Sequence, residues 1–232
     1  MYRIETVIFK ANGSGAIRAF TNQWDKLLLG FKNSAKANTS ADVVVYEIPD
    51  LKADTRVELS TNHYKLKKWR DIVRNASVPL VLSDTDICFL DDIEDGFTDY
   101  PITLTSRARR WCNAGIVFVR PGEEANAFFD RWCEMDDWLH QGPRDSKGNP
   151  ERLKQAWKDT GVLGHNQTAL AMIKDEFTFG WVPGHIYNAS QREEWVQNPK
   201  VVHVKDSLRI DLFLNRNRGR NPLVEKISPY YV

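Results

Sequence analysis

Cysteine is scarce in this sequence. Cys88, Cys112 and Cys133 are the only three in 232 residues, odd in number and far apart. They fit neither a disulfide framework nor a zinc-binding spacing, and the expected compartment is a reducing cytosol. No apolar run approaches the ~20 residues of a membrane span. The opening MYRIETVIFKANG has one short apolar stretch and reads as a first strand, with no signal-peptide pattern. Without such a signal, the five Asn-x-Ser/Thr sequons, at Asn12, Asn38, Asn75, Asn166 and Asn188, carry little meaning. Charge of one sign is also lacking: the formal net charge is +1, so any nucleic-acid or membrane role needs a local cluster. GxGxxG and Walker patterns, internal repeats and low-complexity linkers are missing. A single domain over 1–232 is expected, with a basic tail from about residue 210.

What is present is alternation. TVIFKA (6–11) and ADVVVYEI (41–48) read as buried strands, and SGAIRAFTNQWDKLLLGF (14–31) has helical spacing. In NHYKLKKWRDIVRNA (62–76), Leu66, Trp69, Ile72 and Val73 fall on one helical face. YPITLTSR (100–107) and NAGIVFVR (113–120) are strands that follow each other without a helix. GEEANAFFDRWCEMDDWL (122–139) is an amphipathic helix with acids near its start, as the helix dipole prefers. GHNQTALAMIKDEF (164–177) is a short helix, and WVPGHIYNA and KVVHVKD are extended. The Gly/Pro/charge-rich QGPRDSKGNPERLK (141–154) reads as a long loop and a candidate lid. The alternation implies an α/β fold with a mostly parallel sheet, mixed near 100–120 and flanked by helices.

VPLVLSDTDICFL (78–90) ends an apolar strand on Asp84 and Asp86. Residues two apart in an extended segment point to one side, so the carboxylates repel unless a positive charge compensates them. Ligands in open α/β sheets bind beyond the carboxyl ends of strands. Two converging carboxylates there suit a hard divalent cation, Mn²⁺ or Mg²⁺. A turn cap beside a solvated acid is the plain alternative. Two enzyme classes carry such a pair. Haloacid-dehalogenase-type phosphatases use the first Asp as nucleophile, although here Cys88 stands where they have Thr or Val and the pair lies far into the chain. Nucleotide-sugar glycosyltransferases hold a metal and a donor diphosphate on it.

The order of motifs resembles glycosyltransferase family 8 and related retaining enzymes of the GT-A (Rossmann-like) fold. HYKL (63–66), LVLSDTDICFL, CNAGIVFVRP (112–121), HNQTALA (165–171) and VVHVKDSLR (201–209) stand in the family's order over about residues 63–209. The resemblance implies a hexosyl- or pentosyltransferase that retains anomeric configuration. It implies a metal on Asp84, Asp86 and His203, with Lys65, Asp84, Lys205 and Arg209 toward the donor. Asn113, Ala114, Asn166 and Gln167 would face the sugar, the last two as the catalytic candidates. Ala11 and Asn12, at the end of the first strand, are assigned to the nucleotide. Departures are Asn166 for the family's Asp, Asp206 for its Gly, Arg209 for its Lys and Lys65 for its Arg.

Each residue also has a plain reading. His203 fits a satisfied strand histidine, Asn113 a turn, Gln167 a helix surface and Lys65 a solvated helix face. Asp159 and Glu176 are candidates for an inverting base. The sequence is therefore expected to encode a metal-dependent glycosyltransferase using a nucleotide-sugar donor. A phosphatase, or a non-enzymatic nucleic-acid-binding module using RARR (107–110) and RNRGR (216–220), is the alternative. Arg107, Arg109 and Arg110, with Arg216, Arg218 and Arg220, suggest an anionic acceptor such as modified DNA.

Overall fold

The computed structural model describes residues 1–10, 16–49, 57–107, 110–146, 148–190, 198–214 and 222–232. In chain order the elements are β1 (Arg3–Lys10), α1 (Ala16–Asn38), β2 (Asp42–Pro49), α2 (Val57–Arg74), β3 (Leu80–Ser83), β4 (Ile87–Phe89), β5 (Ile102–Arg107), β6 (Arg110–Val119), α3 (Glu123–His140), α4 (Glu151–Thr160), α5 (His165–Ile173), β7 (Gly180–Pro183), α6 (Gly184–Tyr187), β8 (Val201–His203), α7 (Asp206–Leu214) and α8 (Pro222–Ile227). Six strands form one sheet in the order β2-β1-β3-β6-β5-β7, while β4 and β8 form a small second sheet. β1 runs parallel to β2 and β3, and β5 parallel to β7. β6 is antiparallel to both β3 and β5. The mostly parallel, mixed α/β sheet expected from the sequence is present, and the mixed part is the β5–β6 hairpin.

The period of two along central strands sorts side chains between the faces of the sheet. Leu80 and Leu82 of β3, with Val117 and Val119 of β6, point to the side covered by α2, α3 and α5. There they meet Leu66, Trp69, Phe128, Phe129 and Trp132, with Trp69 edge-on to Trp132. Val81, Ile116 and Phe118 point the other way, onto Tyr2, Phe31, Phe89 and Tyr187. Because both faces are covered, β3 is buried along its length, and its sequence is a continuous apolar run instead of an alternating one. The three cysteines are unpaired and buried, Cys112 and Cys133 in the first of these layers and Cys88 beside α1. Burial pushes each thiol up to about 12, so they act as small apolar fillers.

Three stretches differ from the sequence reading. Residues 151–154 belong to α4 and not to a loop: Pro150 precedes the helix, Glu151 opens it, and Gly161, at φ 67°, ends it. The residues before α4 form a tight turn. Asp145 accepts from the Asn149 backbone N–H and pairs with Lys154, which leaves a tied hairpin where a lid was expected. Residues 184–187 are a helical turn, although the segment looked extended. The basic tail also carries apolar weight. Leu212, Leu223, Val224 and Ile227 of α7 and α8 pack with Leu27 of α1, Cys88 and Val202. Arg109 and Arg216, Arg218 and Arg220 lie outside the described residues.

Candidate active site

The Asp84–Thr85–Asp86 turn joins β3 to β4 and is held from three directions. The Asp84 N–H donates to the Gly115 carbonyl of β6 at 2.8 Å, and the Val204 N–H donates to the Asp86 carbonyl at 2.7 Å. Between them Thr85 is buried, its hydroxyl 3.2 Å from that of Thr6 and donating to the Val7 carbonyl. An extended apolar strand delivers the turn, and a buried threonine locks it so that both carboxylates leave on the same side. β8 pairs with β4 with Ile87 opposite His203, which brings the imidazole to the two acids from a segment 117 positions away in sequence from Asp86.

The carboxylates do not face each other uncompensated. Lys65 of α2 forms an ion pair with Asp84 Oδ1, its ammonium also lying 4.7 Å from the Trp69 ring centroid. Arg209 of α7 pairs with Asp86 Oδ2 at 2.5 Å, and its Nε donates to the Val204 carbonyl. His203 Nε2 lies 3.1 Å from Asp86 Oδ1 and 3.8 Å from Asp84 Oδ2. One donor atom from each of Asp84, Asp86 and His203 falls within a sphere of contacts no wider than 4.8 Å.

Burial alone would raise the Asp86 carboxyl, but the His203 imidazole, Arg209 and Lys205 outweigh it and hold Asp86 well below the usual carboxylate range. Burial is also the largest influence on His203 and lowers it from its ordinary value, against the opposing pull of Asp86. Burial therefore favours the neutral form of His203, while Arg209 and Lys205 favour an ionised Asp86.

Which nitrogen of His203 carries the proton follows from its other neighbour. Nδ1 lies 2.9 Å from Asn188 Oδ1. The Asn188 amide nitrogen in turn donates to the Asn113 carbonyl and Oδ1 and to Thr105 Oγ1, which fixes the amide with its oxygen toward the ring. Nδ1–H donates to Asn188 in the tautomer that would bind a metal, and Nε2 is the ring nitrogen on the side of the acids. Asn113 Oδ1 also accepts the Gly115 N–H. Gly115 has no room for a side chain: a Cβ there would stand 2.5 Å from His203 Cε1. Asn188 and Gly115 were not singled out from the sequence. Asn188 read only as a sequon and Gly115 as part of a strand motif.

The sequence candidates do not all come together. Asp84, Asp86, His203, Lys65 and Arg209 come together directly, and Lys205 acts on Asp86 and His203 through its charge. Asn113 and the adjacent, buried Ala114 line the same part of β6. Asn166 and Gln167 stand at the start of α5. Asn166 is buried, its carbonyl accepting from Trp132 Nε1 and its amide Nδ2 lacking a hydrogen-bond acceptor. Ala11 and Asn12 lie outside the described residues. Arg107 turns inward and donates to the carbonyl and side chain of Asn188, so it braces the His203 network. Glu176 is held in the Arg131 fork and Asp159 bonds Gln155 within α4, so both have partners of their own.

No family model and no curated protein matches this chain. Solved structures do. The galactosyltransferase LgtC, crystallised with donor and acceptor sugar analogues, is similar with TM-score 0.61 and 10% identity, over 100% of this chain and 95% of that one. A glycosyltransferase involved in glycosylation of the major capsid of PBCV-1 is similar with TM-score 0.56 and 10% identity, over 99% of this chain and 100% of that one. The glycosyltransferase GlyE of Streptococcus pneumoniae TIGR4 is similar with TM-score 0.56 and 9% identity; this chain is covered completely and spans 60% of that one. Among the described residues no helix is long and apolar enough to cross a membrane. The mixed sheet, its flanking helices and these likenesses identify the architecture as the GT-A glycosyltransferase fold.

Proposed function

We propose that this protein is a metal-dependent glycosyltransferase that moves a hexosyl or pentosyl group from a nucleoside-diphosphate sugar to an acceptor, with retention of configuration. The observation that carries the reading is the convergence of Asp84, Asp86 and His203 at the carboxyl end of β3 in a GT-A fold. Two carboxylate oxygens and a neutral imidazole nitrogen suit Mn²⁺, and Mg²⁺ less closely. A cation held there would neutralise charge developing on the departing nucleoside diphosphate.

The protein's own groups do the rest. Lys65 and Arg209 compensate the acids in the resting state. When a cation takes over that task, both become available to donor phosphate oxygens, with Lys205 adding positive charge nearby. Asn188 and Arg107 hold the imidazole in its ligand tautomer. Asn113 and Ala114 are assigned to the wall of the sugar pocket. Asn166 and Gln167 are assigned to the sugar itself. Ala11 and Asn12 are assigned to the nucleotide. A phosphatase reading needs a nucleophilic Asp84, whereas here Asp84 is one member of a three-donor cluster. An anionic acceptor, modified DNA among the candidates, loses Arg107 from its proposed contacts because that side chain is engaged by Asn188.

The test is incubation of the purified protein with a panel of nucleotide sugars and Mn²⁺, following slow donor hydrolysis. Release of nucleoside diphosphate that needs the metal and is lost in Asp86→Asn supports the proposal. Release of phosphate from simple phosphomonoesters, with no nucleotide sugar consumed, contradicts it.

A further inference from the structure

A second cluster of metal-ligating side chains lies away from the Asp84–Asp86 turn. His63 of α2 faces Asp136 and His140 of α3, the last two spaced i, i+4 on one helical face. One donor atom from each residue lies within 4.8 Å of the others. His63 Nδ1 is 2.6 Å from Asp136 Oδ2, which is in turn 3.6 Å from His140 Nδ1. Tetrahedral zinc, with bonds of about 2.0–2.1 Å, spaces its ligand atoms about 3.4 Å apart. The 2.6 Å contact is a hydrogen bond that a metal would replace, and the three donor atoms, within 4.8 Å of one another, are near enough to close on one ion.

Two further observations point to a ligand. Asp136 is 1% exposed, and its Oδ1 has no hydrogen-bond partner. His140 donates Nδ1–H to the Asp136 backbone carbonyl at 2.7 Å, which leaves Nε2 as the lone-pair nitrogen, and that atom too is buried without a partner. A buried carboxylate oxygen and a buried imidazole lone pair left without donors are costly in a helix interface. Both imidazoles also have the outer support typical of metal-bound histidine. His140 has the backbone carbonyl, and His63 has Asp137 Oδ1 at 3.3 Å from Nε2. Lys67 holds that Asp137 oxygen at 2.9 Å.

We propose that His63, Asp136 and His140 form a second divalent-metal site, distinct in ligand set from the catalytic candidate. Two nitrogens and one oxygen select the borderline ions, zinc foremost, where Asp84 and Asp86 favour the harder manganese. The site binds through His63 Nδ1, His140 Nε2 and an Asp136 oxygen, with Asp137 accepting the His63 Nε2–H. Its effect is to clip α2 to α3. α2 also presents Lys65 to Asp84, so the clip holds the donor-side helix in place.

The experiment uses the full chain stripped of metal with a chelator and then saturated with Mn²⁺ to fill the first site. Zn²⁺ is titrated calorimetrically, and Co²⁺ is used as a visible-absorbing probe. The site predicts Zn²⁺ binding that Mn²⁺ does not displace, a raised thermal midpoint and tetrahedral Co²⁺ bands. His140→Gln should weaken this binding by about 100-fold or more, and Asp137→Asn by about 10-fold. Should His140→Gln fold poorly, His63→Asn serves in its place, and the Co²⁺ spectrum of the unaltered protein is decisive in either case. Zn²⁺ binding that excess Mn²⁺ abolishes, or that survives both histidine substitutions unchanged, overturns the proposal.

Discussion

His203 Nδ1 sits 2.9 Å from Asn188 Oδ1, while Nε2, across the ring, sits 3.1 Å from Asp86. Asn188 thus decides which face of the imidazole is basic without approaching the acids itself. Asn188→Ala removes that acceptor and leaves the Asn113 oxygens and the His203 Nδ1–H to find others. Metal affinity, measured by Mn²⁺ titration of donor hydrolysis, should fall about 10–100-fold, and the thermal midpoint should fall as well because buried groups of Asn113, Thr105 and His203 lose their partner. An unchanged metal requirement would show that His203 is held by β8 alone.

Gly115 is the second point of support. Its φ is ordinary for a strand, so the requirement for glycine is space, set by the His203 ring beside it. Gly115→Ala should push the imidazole from its place and weaken Mn²⁺ binding by at least about 10-fold. The β3–β6 pairing keeps the far-ultraviolet circular dichroism of the parent. Activity and metal affinity equal to the parent would mean the strand yields instead of the ring.

Lys65 pairs with Asp84, so on the proposed function it would compete with the cation for that carboxylate. Lys65→Met keeps the packing length over Trp69 but removes the charge. Without donor, this variant should bind Mn²⁺ more tightly than the parent, by up to about 10-fold. With donor, its KM should rise, because a phosphate-facing cation is lost. A fall in both affinities would show that Lys65 positions Asp84 and nothing more.

The pH dependence has a defined sign. His203 is lowered from 6.5 by burial, and on the proposed function its neutral form would hold the metal. Protons then compete with the metal only below the ordinary imidazole range, so Mn²⁺ affinity should stay flat as pH falls through 6.5 and drop at lower pH. The linked effect on the metal-free fold has the same sign but begins at a higher pH. The unfolded chain takes up a proton near pH 6.5 that the folded chain refuses, so stability declines as pH falls below that value. Metal affinity that drops already between pH 7.5 and 6.5 would mean a raised and not a lowered histidine.

Much of this site is legible in the sequence because its parts are local. An apolar strand ending on Asp84 and Asp86 and a histidine in a short apolar run each read directly, and so does the helix carrying Lys65 and Trp69. What joins them is not local. The Lys65–Asp84 and Arg209–Asp86 pairs answer how two close acids tolerate each other, and they depend on where α2 and α7 pack. Asn188 was hidden because it follows a helical turn that its Trp-Val-Pro-Gly context makes look extended. Gly115 needs His203 as a neighbour before its missing side chain means anything. The hairpin at 144–150 misled because Gly, Pro and charge mark turns whether or not those turns are tied down, and here Asp145 ties this one. The basic residues of the last twenty positions masked Leu223, Val224 and Ile227, which face α1.

The central claim is that Asp84, Asp86 and His203 share one cation on which sugar transfer depends. The most direct measurement is nucleoside-diphosphate release from the preferred nucleotide sugar in Mn²⁺, in excess chelator, and for Asp86→Asn in Mn²⁺. Asn is nearly isosteric and still fills the space between His203 and Arg209, so loss of activity in a folded variant reports the charge. The account predicts release in Mn²⁺, none in chelator, and a fall of at least ~100-fold in the variant. Release that proceeds at full rate in chelator, or in Asp86→Asn, contradicts it.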